Sequence, residues 1–237
     1  MRKWLIPALI LSLGVFLPKA DAQKKTKANE DPKEALQALQ EFIGGWKAGQ
    51  ASDKKLGTWT ETSEWSWRFK GKDIWIGFKI KNGKAYQEGE IRYLPEKSKY
   101  QLTATTKAGD KLVYEGEYKK SGSSNALIVE RVDPDTELTE QIKMSVISDG
   151  DRLVYTKWTK RGTQLTKQLD VGYTREGVTF GVESGGKKIL CVVTGGLGTM
   201  PVSYMGVTYY VCCSGCRDAF NENPAKIVAE YLKNKKK

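Results

Sequence analysis

The sequence predicts a mainly β fold. A short N-terminal helix leads into an antiparallel up-and-down β-barrel, and a small α+β module follows at the C-terminus. Three observations carry this reading. From Gly44 onward the hydrophobic residues recur with a period of two, the signature of half-buried strands. Turn-forming residues punctuate that pattern at hairpin spacing. All four cysteines, Cys191, Cys212, Cys213 and Cys216, fall in the last fifth of the 237-residue chain, which marks that stretch as a separate unit.

At the N-terminus, Arg2 and Lys3 precede an apolar run from Leu5 to Pro18, and Ala20-Asp21-Ala22 has the small-x-small form of a signal peptidase site. Residues 1–22 are therefore expected to be a secretory signal peptide, with the mature protein exported to the periplasm or beyond. The run is short for a bilayer span, and no later segment is apolar enough to be one. Residues 23–31 read as a disordered basic segment. The formal net charge of +11 is concentrated at the ends: the leader contributes +2, residues 23–29 +3 and the tail 233–237 +4, leaving +2 for residues 30–232. A nucleic-acid-binding domain would gather its Lys and Arg on a folded face, so nucleic acid is not an expected partner.

Residues 32–42 form the first helical segment. Pro32 suits a first turn, and Leu36, Leu39, Phe42 and Ile43 share one face at three- and four-residue spacing. Trp65, Trp67 and Phe69 then alternate with Ser66 and Arg68, and Ile74, Ile76, Phe78 and Ile80 with Trp75, Gly77 and Lys79. Further strands are expected at 86–94, 99–106, 111–118, 126–132, 138–147, 152–160 and 164–174. Lys81-Asn82-Gly83, Ala108-Gly109-Asp110, Ser121-Gly122, Asp133-Pro134-Asp135, Asp149-Gly150 and Arg161-Gly162 supply the turns between them. A meander of nine or ten strands removes its two edges by closing.

The strand rhythm, together with Ile43-Gly44-Gly45-Trp46 after a short helix, resembles the lipocalin-like β-barrels, in particular a secreted bacterial set that begins with an Ile-Gly-x-Trp element. The resemblance covers about residues 34–177. Haem-binding barrels of similar shape use a histidine ligand, and this chain has none, so haem is not expected. Trp46, Trp59, Trp65, Trp67, Trp75 and Trp158 have two readings. They fill the barrel, as aromatics do in most small all-β cores, or they line a cavity for a small apolar ligand. The filled core is preferred; if a ligand is bound, Trp65 and Trp67 are the candidates to touch it. Trp75 is out of phase with its strand and is expected to face outward, over an edge or against the C-terminal module. The paired carboxylates Glu88 and Glu90, Glu115 and Glu117, and Glu137 and Glu140 read as the solvated face of the sheet.

Residues 178–187 read as a Gly- and Ser-containing linker, although Val178, Phe180 and Val182 alternate and could add a strand. The module beyond it has too few residues for a comfortable core, and such units need a metal, a disulfide or a docking partner. Clustered thiols meet that need: soft thiolate sulfur suits Zn²⁺ or Cu(I). A disulfide framework is a second reading, although adjacent Cys212 and Cys213 are poorly placed to bridge each other. A third is thiol–disulfide exchange at Cys213-Ser214-Gly215-Cys216, a CxxC at a helix start, but without the βαβ setting usual for it.

Cys191, Cys212 and Cys216, with the hairpin Val202 to Tyr210 turning at Gly206 and the segment Cys216 to Phe220 followed by Asn223-Pro224, resemble the YHS or TRASH-type metal-binding module over about residues 188–232. The resemblance implies a small treble-clef-like fold, a hairpin and a helix that breaks at Pro224, and one bound Zn²⁺ or Cu(I) ion. Two positions depart from that family: Thr194 stands where many members have a second cysteine, and Cys213 is an extra thiol. Cys213 or a non-protein group is therefore expected as the fourth ligand, because Thr194 is a poor replacement for a thiolate. Residues 233–237 form a basic tail.

Catalysis is not expected. Without histidine, Ser-His-Asp and Cys-His arrangements are impossible, and Thr194-Gly195-Gly196-Leu197-Gly198-Thr199 resembles a phosphate loop only in composition. The function expected from the sequence is exported metal binding through the cysteines, in sensing, carriage or scavenging. The alternatives are an apolar-ligand barrel with a purely structural cysteine module, and thiol exchange at Cys213 and Cys216.

Overall fold

The computed structural model describes residues 30–121, 124–177 and 189–235. The proposed leader, most of the basic segment after it and the proposed linker lie outside the described residues. The chain opens with α1 (Pro32–Gln37), capped by the Asp31 side chain, which accepts from the Lys33 N–H at 2.7 Å. A 3₁₀ turn (Gln40–Phe42) follows, so the expected 32–42 helix is split. The split lets Phe42 turn into the barrel mouth.

The barrel strands are β1 (Gly44–Asp53), β2 (Gly57–Thr60), β3 (Thr62–Lys70), β4 (Asp73–Lys81), β5 (Tyr86–Leu94), β6 (Lys99–Thr106), β7 (Lys111–Ser121), β8 (Ser124–Val132), β9 (Thr139–Ile147), β10 (Arg152–Arg161) and β11 (Gln164–Arg175). Neighbours in sequence pair antiparallel from β3 to β11, and β1 joins β3 on one side and β11 on the other. The result is a closed ten-stranded barrel. β2 and β3 act as a single interrupted strand along β1, pairing with its two halves on either side of Glu61.

The interior is filled by aromatic and aliphatic side chains. Trp65 stacks between Phe42 and Phe78, with ring centroids at 5.7 and 4.4 Å. Leu36, Leu39 and Phe42 are buried where α1 closes one end of the barrel, and the Tyr100 hydroxyl donates to the Ala35 carbonyl at 2.7 Å. Trp46 is buried at the same end; its Nε1 donates to the Phe42 carbonyl, and the Arg175 guanidinium lies 4.3 Å over its ring. The internal cavity, lined by Trp65, Phe78, Tyr86, Tyr155 and Tyr173 among others, measures about 20 Å³. That is room for about one water molecule. Trp46, Trp59, Trp65 and Trp67 are core as the preferred reading has it, whereas Trp158 is only half-buried. Trp65 lines this small space, and Trp67 is buried outside it.

One carboxylate expectation needs correction. Glu140 is not on a solvated face: it is buried and accepts from the Tyr114 hydroxyl at 2.9 Å and from Arg131 Nε, with the Lys157 ammonium on its other oxygen. Two cations and a hydroxyl replace the water that an exposed carboxylate would have. Glu61, unremarked in the sequence, is also buried, and accepts from Trp59 Nε1 at 2.6 Å, from the Tyr155 hydroxyl at 3.1 Å and from the Tyr173 hydroxyl. Trp75 faces outward as expected, where it carries the Arg92 guanidinium 4.5 Å above its ring.

Beyond the barrel, β12 (Met200–Tyr204) and β13 (Val207–Val211) form the expected hairpin. Met205 and Gly206 both have positive φ, +49° and +76°, the two-residue geometry that suits hairpin twist. α2 (Ser214–Glu222) and α3 (Pro224–Lys235) complete the module. Pro224 breaks the first helix as expected, but it also opens a second, which absorbs the start of the predicted tail. Among the described residues no helix is long and apolar enough to cross a membrane.

Candidate metal centre

Three short segments bring the sulfurs together. Cys191 starts a tight loop: its N–H donates to the Gly196 carbonyl at 2.7 Å, the Gly195 N–H returns to the Cys191 carbonyl at 2.8 Å, and Leu190 bridges to Leu197. This loop is tied to the hairpin by the Val192 N–H donating to the Tyr210 carbonyl at 2.9 Å. Cys212 follows the last residue of β13, Cys213 caps the start of α2, and Cys216 lies in the first turn of that helix. A hairpin that runs straight into a helix thus presents two thiols beside the one from the loop.

The Sγ atoms of Cys191, Cys212 and Cys216 all lie within 4.8 Å of one another, and all three residues are buried. Cys212 and Cys216 sulfurs are 3.5 Å apart. Cys213, expected as a possible fourth ligand, is buried with its sulfur 3.9 Å from that of Cys212, but it stands outside the mutual group of three. The hydroxyl of Thr194 is in the cluster instead, 3.5 Å from Cys212 Sγ and 3.9 Å from Cys216 Sγ. The sequence reading set Thr194 aside for its chemistry; the loop puts it against the sulfurs all the same. None of the four cysteines is bridged.

Buried thiols this close do not lose protons independently. S–H donation from Cys212 and Cys216 holds the Cys191 and Cys213 thiols well below the ordinary range, against burial, which opposes a charged sulfur. The same contacts, seen from the other side, push Cys212 and Cys216 far upward. A sulfur that takes S–H donation from its neighbours is charged at their expense, and each further thiolate is repelled by those already formed. A cation at the centre removes that conflict, because it lets all three sulfurs be thiolates at once.

The barrel wall forms part of the site. α2 packs on β3 so closely that a Cβ on Gly215 would sit 1.7 Å from the Trp67 carbonyl oxygen. Only glycine permits that approach, and it explains why Ser66, on the outer face of β3, is buried. Trp67 Nε1 donates to Gln40 Oε1 at 2.9 Å, and the other end of the Gln40 amide presses on Gly196 in the cysteine loop, 2.0 Å from where a Cβ would be. Gln37 Nε2 reaches the Thr194 carbonyl at 3.5 Å. Nothing in the spacing of the sequence pointed to Gln37 or Gln40, because their role exists only once the module has docked.

No family model matches this chain, and no curated protein matches it. Among solved structures it is similar to the crystal structure of Rv2717c from M. tuberculosis, at 20% sequence identity and a TM-score of 0.42, over 60% of this chain and 97% of that one.

Proposed function

We propose that this chain is an exported metal-binding protein that holds one Zn²⁺ or Cu(I) ion on Cys191, Cys212 and Cys216. The observation that carries the reading is the meeting of three buried sulfurs from separate segments within 4.8 Å. Thiolate donors suit Cu(I) and Zn²⁺ over hard cations, and a three-sulfur set suits Cu(I) without further help. Tetrahedral Zn²⁺ needs a fourth ligand, for which Thr194 Oγ1, water or a movement of Cys213 are the available sources. The likeness of the hairpin–helix segment to YHS or TRASH-type modules supports the same reading, as does the leader sequence for export. Thiol exchange fits less well, since a sulfur that exchanges must be reachable and all four here are buried.

The test is metal analysis of the full chain together with a count of free thiols. One ion per chain is expected, lost in Cys216→Ser and only weakened in Cys213→Ser. Equal binding by the wild type and Cys216→Ser would remove the assignment. The second reading, a module in which the ion serves folding alone, is favoured by the docking of α2 on the barrel through Gly215. It predicts an ion that does not exchange with free metal or chelator while the protein stays folded.

A further inference from the structure

An open groove of about 1590 Å³ runs between the barrel and the cysteine module, and Cys212 and Cys213 form part of its lining. One wall comes from the start of β1, from β3 and from the β4–β5 hairpin; the other comes from Leu197, Thr199, Met200, Ser214 and Arg217. Its cations are Lys47, Lys79, Lys81, Lys84, Lys107, Arg175 and Arg217, against Glu64, Glu88 and Glu176 as the acids. Lys79 is balanced across the strands, since it lies opposite Glu64 on one side and Glu88 on the other. Lys81 and Lys107 are exposed and make no ion pair among the described residues; Arg217 has only a long, exposed pairing with Asp218 at 3.6 Å. Arg175 is spent on the carbonyls of Glu41, Ile43 and Gly150 and has no carboxylate bonded to it. The first turn of α2, at Ser214, adds the partial positive charge of a helix start.

A groove with this excess of positive charge repels a hydrated metal cation and attracts carboxylates. It is also larger and more open than sites that enclose a single small molecule, which run to about 1000 Å³. We propose that it is the docking site for a carboxylate-rich polypeptide segment of a partner protein, which lies along the lysines and covers the stretch Cys212–Ser214 in the groove lining. The inference rests on the metal reading for its consequence, that the partner controls access to the ion, but the charge complementarity behind the docking does not involve the ion. The lysines lie on the barrel wall, Arg217 and the start of α2 on the other, and Cys212 and Cys213 in the lining, so a bound segment covers this approach to the buried sulfurs.

The test uses the full chain and a fluorescent glutamate-rich peptide as the probe. Saturable binding is expected, weakening steeply between low and about 0.15 M salt. The double variant Lys81→Glu/Lys107→Glu should bind the peptide about tenfold or more weakly. The control variant Lys119→Glu/Lys143→Glu, on the far side of the barrel, makes the same change in net charge and should bind nearly as wild type. Bound peptide should also slow removal of the ion by a chelator several-fold. Should the folded chain hold no ion, saturable peptide binding and its loss in Lys81→Glu/Lys107→Glu are still read, so failure of the metal reading removes the chelator result only. Equal weakening in the two double variants, binding of citrate as tight as that of the peptide, or ion removal unaffected by saturating peptide would each overturn the proposal.

Discussion

The barrel and the cysteine module solve the same problem, burying enough surface to stay folded, in opposite ways. The barrel closes its sheet and fills the inside with Trp46, Trp65, Phe78, Tyr114 and Tyr173, and the cavity beside Trp65 has room for about one water. The module buries little beyond Val192, Val211, Phe220 and Val228, and its centre is four thiols. One region is filled by apolar packing, and the other gathers thiols at its centre, donors suited to a soft cation. The comparison teaches that equal burial can serve different chemistry, ring and aliphatic packing in the barrel and a candidate ligand set in the module.

The sharpest way to break this contrast is to remove the ion. A chelator at neutral pH should unfold the module, where thiolate sites contribute on the order of 10 kcal/mol, and leave the barrel's cooperative unfolding in place. Amide exchange followed by segment would show protection lost across 200–235 and kept in β3 to β11. Loss of both regions together would mean that they form one folding unit. Next in size is Trp65→Ala, which should cost the barrel about 3–5 kcal/mol by opening a cavity between Phe42 and Phe78 while the affinity for metal changes little.

A smaller effect is confined to the barrel. Glu140 titrates in the barrel alone: burial pushes its carboxyl up, but the Lys157 ammonium, the Tyr114 hydroxyl and Arg131 outweigh that and hold it below its ordinary value. A depressed folded pKa gives stability that is present above the unfolded value, near about 4.3, and is lost as the pH falls through the lower folded one. The barrel of the wild type should therefore lose stability on acidification faster than that of Glu140→Gln, as read by urea midpoints against pH. Parallel acid limbs would show that this ion cluster contributes nothing.

The two regions also differ in how much of them could be read from sequence. Strand alternation and turn residues placed β5, β6 and the hairpin β12–β13 to the residue or nearly so, because their side chains obey a two-residue period. β1 received no bounds from the sequence, because the period of two that sets in after Gly44 is first sustained at Trp65; closure supplies its partners on both sides. The cysteine spacing identified the sulfurs, but it carried no information on how Cys213 and Thr194 are placed around them. Which of them faces the centre depends on the turn of the Cys191–Gly196 loop and on the phase of α2, and neither is written in spacing. Buried Glu61 and Glu140 were invisible for the same reason: their partners, Tyr155, Tyr173, Arg131 and Lys157, become neighbours only across the closed sheet.

The bare contact between Gly215 and the Trp67 carbonyl has a consequence for anyone who would graft this metal unit onto another scaffold. The stretch from Cys191 to α3 is not a cassette. One side of its mould is a strand of a different structure, with a small serine beneath the helix and a glutamine from the barrel's own cap resting on the loop. A recipient protein would have to offer a flat strand face of the same kind, or the transplanted sulfurs would lose the surface that sets their spacing.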